Sequence, residues 1–526
     1  MKQAGFLRVC SLVLILALSV GCGKSGPQEF VILSGSENES LEPILHEFGE
    51  EHDVTIIMQY KGSVDIMREL SQEGTLPYDA VWPANSLWIS LGDRLRRVKH
   101  AKSIMISPVV FGIRKSLAQE LGFIGQEVRV RDILDAIRQD RLQFMMTSAT
   151  QSNSGASAYI GFLYALLGHP DILTLADLHS PELRQDIQEL FAGIHRSSGS
   201  SGWLKDLFLT GNYDAMVNYE SMIIEANQEL VRKGQEPLYA VYPVDGIVFS
   251  DSPLGYIDQG EDDEEKEALF QALQAYLLSD EVQETLSRFG RRTGVGGVMG
   301  EVDTTVFNPE WGIDVDRILS PIPLPSAEVI RAALTMYQTE FRKPSLTVFC
   351  LDFSGSMKGE GAAQLKQAME LLLDQEQAKE YLINASSHDH TIVIPFNSRP
   401  QRGWQTVGND TQELAALLSQ IKALAPGGGT DIYTAAQHGL QLMAEMEQLD
   451  TYVPAIILMT DGKSEGSFAG FENTWRRFGL DIPVFGILFG DASAGQLEDL
   501  ARLTRGRVFD GRHDLVQAFR KAKGYN

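Results

Sequence analysis

Cysteine is almost missing from this chain: three in 526 residues, at positions 10, 22 and 350. So few cannot make a disulfide framework. Positive charge is also scarce. Forty-five Lys and Arg against 70 Asp and Glu leave a net charge of −25. Nucleic acid is therefore excluded as a partner, because phosphate binding needs concentrated Lys and Arg. The longest early apolar run, Leu12 to Leu18, falls well short of the roughly 20 residues of a membrane span. Hydrolase signatures find little support too: there is no HExxH helix. Gly427-Gly428-Gly429 lacks the GK[ST] of a phosphate-binding loop. No enzyme activity and no catalytic residue are expected. His388-Asp389-His390 reads as a polar loop rather than a metal cluster, since adjacent strand positions alternate faces.

What is present is a long, ordinary globular composition. Its 44% hydrophobic and 22% charged residues match folded protein, and the length suggests about three units. Lys2 and Arg8, the apolar stretch to Leu18 and the small residues Ser19-Val20-Gly21 form a secretory signal. Gly21-Cys22 resembles a bacterial lipobox, although Ser19 stands where leucine is usual. The resemblance implies a signal peptide over 1–22, lipidation at Cys22, and an extracytoplasmic lipoprotein anchored to a bacterial cell membrane. Residues 23–28, rich in Gly, Ser and Pro, read as a flexible tether. Cys350 reads as a small buried hydrophobe, and Glu261 to Glu265 as the solvated start of a helix.

From Glu29, strand-like and helix-like runs alternate, the pattern of βα units and a mostly parallel sheet. Phe30-Val31-Ile32-Leu33, Val54 to Met58 and Tyr78 to Trp82 are strands of a first lobe; Val109 to Ile113 crosses to a second. Phe144 to Thr147, Tyr213 to Tyr219 and Leu238 to Pro243 belong there, and Ser252 to Tyr256 returns. Over residues 29–300 this order, with its Ser34-Gly35-Ser36, Tyr78-Asp79-Ala80 and Ser154-Gly155 turns, resembles two-lobed type 2 periplasmic solute-binding proteins. The resemblance implies an interlobe cleft in which hydroxyls and helix N-termini bind a small solute or anion. Ser36, Ser63, Asn85, Ser152 and Ser154 are the ligand-binding candidates, each also readable as a helix cap or turn residue. Arg291 and Arg292 read as solvated surface residues, with reach to a ligand as the alternative. Residues 301–343 read as a connector with a stiff Pro321-to-Pro325 segment.

The most informative letters come last. Leu346 to Leu351 is a buried-strand run ending in Asp352-Phe353-Ser354-Gly355-Ser356; Ala455 to Thr460 is another, ending in Asp461-Gly462. Gly427-Gly428-Gly429-Thr430 adds a hydroxyl on a flexible loop. A set of oxygen ligands without thiolate or imidazole suits a hard divalent cation: Mg²⁺, Ca²⁺ or Mn²⁺. Asp352, Ser354, Ser356, Thr430 and Asp461 together resemble the metal-ion-dependent adhesion site of von Willebrand factor A (VWA) domains. The resemblance covers 344–526 and implies a doubly wound, Rossmann-like α/β fold. It also implies Mg²⁺ as cofactor and an acidic side chain of a protein partner as ligand. A long helix is expected over Ala362 to Leu382. The function expected is cation-dependent adhesion; the alternative is a transport-system solute receptor with an accessory VWA domain.

Overall fold

The computed structural model describes residues 28–260, 263–297, 299–316, 319–461, 463–489, 494–512 and 515–524. The signal peptide, Cys22, nearly all of the tether and the start of the acidic run lie outside them. Among the described residues, no helix is long and apolar enough to cross a membrane.

Among the described residues, three sheets flanked by helices organise the fold. The first lobe orders its strands Val54–Lys61, Gln28–Gly35, Ala80–Trp82, Pro253–Ile257, Val98–Ser103. The first three run parallel and the returning Pro253–Ile257 is antiparallel. Ser107–Arg114 crosses into the second lobe, where it pairs antiparallel with Ala215–Tyr219 and Leu238–Val241. Residues 306–316 and 319–341 pack into that lobe rather than spanning open space: Phe307, Trp311 and Ile313 join one of its cores, and Ile330, Tyr337 and Phe341 another.

The last sheet orders Trp404–Val407, His390–Phe396, Ser345–Asp352, Val453–Thr460, Val484–Leu488, Val508–Asp510. Only the Trp404–Val407 edge is antiparallel. All eight residues of Ser345–Asp352 are buried because helices cover both faces. Phe349 and Leu351 enter one core; Leu346, Val348 and Cys350 enter the opposite one, as the strand's two-residue period requires. Each fully buried large apolar side chain contributes about 1.5–3 kcal/mol. The sheet thereby fixes the loops at its carboxyl ends.

The long helix expected over Ala362 to Leu382 is two helices, Glu360–Leu373 and Gln375–Glu380. Asp374 breaks it: its carboxylate accepts from the N–H groups of Glu376 and Gln377 and caps a new helix.

Candidate functional site

Strands Ser345–Asp352 and Val453–Thr460 lie side by side and parallel, Leu351 opposite Met459. Their next residues therefore emerge together at the carboxyl edge of the sheet. Asp352 ends the first strand, wholly buried. Its Oδ1 accepts from the Ser354 N–H at 2.7 Å and its Oδ2 from the Thr460 hydroxyl at 2.6 Å. Ser354 Oγ lies 3.0 Å from Ser356 Oγ, and Ser356 donates to Asp461 Oδ1 at 2.9 Å. Four of the five expected ligands thus form one connected cluster.

Thr430 belongs to a loop tied to that cluster through its backbone. Gly355 N–H donates to Gly428 O and Gly427 N–H to Phe353 O, both at 2.8 Å. Asn397 donates to Gly427 O, and Ser398 accepts from Gly429 N–H. Gly428 has φ of +90°, a conformation glycine adopts readily. Thr430 itself is buried.

Burial raises the Asp352 carboxyl above its usual range, against the hydrogen bonds of Thr460 and Ser354; the charge of Asp461 raises it further. Two neighbouring carboxylates and three hydroxyls favour a hard cation, which would relieve their repulsion. The donor set fits the group that the sequence motif implies. Sequence reasoning missed Thr460, Asn397 and Ser398. Thr460 sat inside an apolar strand run, and the other two carry no spacing signal.

The interlobe cleft is shut. Gly62 faces the Gln151 carbonyl so closely that a Cβ there would lie 2.1 Å from its oxygen. Val64 N–H donates to Gln151 O at 3.1 Å, and Trp88 Nε1 to Asn153 Oδ1 at 2.7 Å. All five cleft candidates are buried at this seam, and each already bonds to protein. Ser36 Oγ accepts from Gly202 N–H, and Ser63 Oγ from Ala84 N–H. Asn85 caps its helix and donates to Phe249 O. Ser152 and Ser154 both hydrogen-bond Ser201. Glu37 also lies there, one carboxylate oxygen buried without a hydrogen bond; burial pushes the group up to about 7.

Arg291 and Arg292 correct the solvated-surface expectation. They are 1% and 4% exposed. Arg291 pairs with Glu225 at 2.7 Å, and Arg292 grips Glu220 through two nitrogens, both at 2.7 Å. Their carboxylate partners, distant in sequence, hold them inside.

The last helix, Leu515–Gly524, lies over the mouth of the cleft. Arg520 pairs with Asp65 of the first lobe and donates to Thr150 O of the second at 2.8 Å. Its own carbonyl accepts from Gln151 Nε2 at 2.8 Å. Elsewhere Arg196 and Tyr213 of the second lobe bind Asp481 at 3.0 and 2.8 Å. Burial opposes ionisation of Asp481, yet Arg196, Tyr213 and Arg505 hold its carboxyl below its usual range.

With this geometry in place, the comparisons divide the chain in the same way. Residues 31–292 match the family model of bacterial extracellular solute-binding proteins. Residues 347–514 match that of the von Willebrand factor type A domain. The chain is thus a two-module binding protein of extracytoplasmic type. More particularly, it joins a solute-binding-protein-like domain to a C-terminal VWA domain. It is 30% identical over 125 residues to human (Homo sapiens) inter-alpha-trypsin inhibitor heavy chain H2, a match covering 23% of this chain and 12% of that protein. Among solved structures it is similar to the sulfate-binding protein SubI of Mycobacterium tuberculosis: 15% identity, 58% of this chain, 96% of that one, TM-score 0.39. It is also similar to the periplasmic binding protein AfuA of Actinobacillus pleuropneumoniae: 13% identity, 60% and 98% coverage, TM-score 0.44. A third is a von Willebrand factor type A protein of Catenulispora acidiphila: 18% identity, 35% and 43% coverage, TM-score 0.30.

Proposed function

We propose that this protein is a cation-dependent adhesion protein held at a bacterial membrane. Its VWA domain takes one divalent cation, Mg²⁺ by preference, and through it an acidic side chain of a protein partner. The observation that carries this reading is the continuous hydrogen-bonded set Asp352, Ser354, Ser356 and Asp461 at the ends of two adjacent parallel strands. Ser354, Ser356 and Thr430 ligate the ion directly; Asp352 and Asp461 hold it directly or through water. Much of the coordination is neutral, so the cation keeps much of its charge for an incoming carboxylate. Mg²⁺ usually retains waters, and that carboxylate replaces one of them. Lipid on Cys22 supplies the anchor, and the solute-binding-like module adds a docking surface.

The solute-receptor reading is less well supported, because Ser152 and Ser154 already bond Ser201 and Ser36 accepts from the Gly202 N–H across the closed lobes. Affinity purification in Mg²⁺ and in chelator, with wild type and Ser354→Ala, tests the proposal. A partner retained only by wild type with Mg²⁺ supports it; equal retention in all four conditions refutes it. Micromolar binding of a small molecule to the purified protein, with no metal-dependent partner, would favour the receptor instead.

A further inference from the structure

Where the second lobe meets the entrance to the VWA sheet, the two modules line a small, partly open cavity of about 40 Å³. That is room for about three waters, at 10–15 Å³ each. Ser148 and Thr150 come from the second lobe; Arg342, Lys343 and Ser345 lead into the VWA sheet; Lys523 comes from the last helix. Lys523 Nζ donates to the Ile383 carbonyl at 2.5 Å, and Lys343 Nζ to the Ile194 carbonyl at 3.3 Å. Ile383 and Ile194 are themselves wall residues, which sets both ammonium groups at the cavity wall.

Their charge is poorly balanced. Asp389 is the carboxylate acting on Lys523, but it is fully engaged elsewhere. It holds both terminal nitrogens of Arg342 and accepts from the N–H groups of Ser345 and Ser386. The carboxylate acting on Lys343 is Asp450, an exposed residue. Arg342 Nε is buried with no hydrogen-bond partner. Arg342 and Lys523 thus share one buried carboxylate, and Lys343 has only the exposed Asp450. Burial pushes Lys523 down to about 8 and also lowers Lys343. Uncompensated buried charge is costly, and a small anion would relieve it.

We infer that this cavity at the joint between the modules binds one small oxyanion of the phosphate or sulfate class. The two ammonium groups and Arg342 Nε supply charged donors, and the hydroxyls of Ser148, Thr150 and Ser345 supply neutral ones. The volume of the cavity suits a group the size of a free phosphate or sulfate ion. Because its walls come from both modules, the anion holds the joint together. The inference is independent of the cation site, since none of the five proposed metal ligands lines this cavity.

The test is thermal unfolding of the purified protein in inorganic phosphate, in sulfate, and in sodium chloride of matched ionic strength. Wild type is expected to gain several degrees in Tm in phosphate or sulfate over chloride, through ligand binding to the folded state. Lys523→Met and Lys343→Met should each abolish that gain. Without anion they should be at least as stable as wild type, because each removes a poorly balanced charge. Equilibrium dialysis with labelled phosphate should find one ion per wild-type chain and none in the variants. Half-buried Lys343 carries the test where Lys523→Met fails to fold. An equal Tm in phosphate, sulfate and chloride overturns the inference, as does a phosphate gain that survives in both variants.

Discussion

The Thr460 hydroxyl donates to Asp352 Oδ2 at 2.6 Å, joining the ends of two neighbouring strands 108 residues apart in sequence. One oxygen of Asp352 is fixed by this bond and the other by the Ser354 N–H, so the carboxylate has little freedom left. Thr460→Val keeps the side-chain shape and removes the bond. Outer partners of metal ligands typically contribute 10–100-fold in affinity. Calorimetry with Mg²⁺ or Mn²⁺ should show a loss of that size, with the circular dichroism spectrum retained.

Asp352→Ala should abolish the cation's binding heat altogether. Ser354→Ala should weaken it while leaving the fold intact, because its main structural contact runs through a backbone N–H. Unchanged affinity in Asp352→Ala would refute the ligand assignment.

Arg520→Ala should destabilise the protein by about 3–5 kcal/mol, the usual cost of leaving one partner of a buried pair uncompensated. Arg520 and Asp65 are both almost wholly buried. Urea titration of Arg520→Ala, Asp65→Leu and the double variant measures this; the double variant should recover much of the loss.

Gly62→Ala should part the two lobes. The added methyl would meet the Gln151 carbonyl, a backbone atom that cannot swing aside. Small-angle scattering should report a larger radius of gyration. Overpacking typically costs about 1–3 kcal/mol in stability.

Glu37 makes stability depend on pH. Burial raises its folded-state value from 4.5 to about 7, so the neutral form suits the fold. Its contribution is fully present below pH 4.5 and is lost as pH rises through about 7, on the order of 3 kcal/mol in all. Glu37→Gln should remove that slope. Urea unfolding of wild type and variant at pH 4.5, 6 and 8 checks it: their difference in stability should grow with pH.

Much of this architecture was legible from residue patterns. Apolar runs such as Leu346 to Leu351 could be read as strands because both faces of a parallel sheet are covered, so hydrophobicity is continuous. The clustering of Asp352, Ser354, Ser356 and Asp461 was legible for a related reason: these residues follow strands directly, and their spacing survives in the sequence. Trp404–Val407 escaped notice because an edge strand with one exposed side carries no such run. The break at Asp374 was missed because helix periodicity continues across it. Arg291 and Arg292 looked like surface residues since their partners, Glu225 and Glu220, lie far away in sequence. Long-range charge pairing leaves no local periodicity to read.

Arg520 reaches both lobes from a helix of the other module. Opening the clamshell therefore means withdrawing that finger first. Any parting of the lobes must shift the last helix and, with it, the VWA module against which that helix packs.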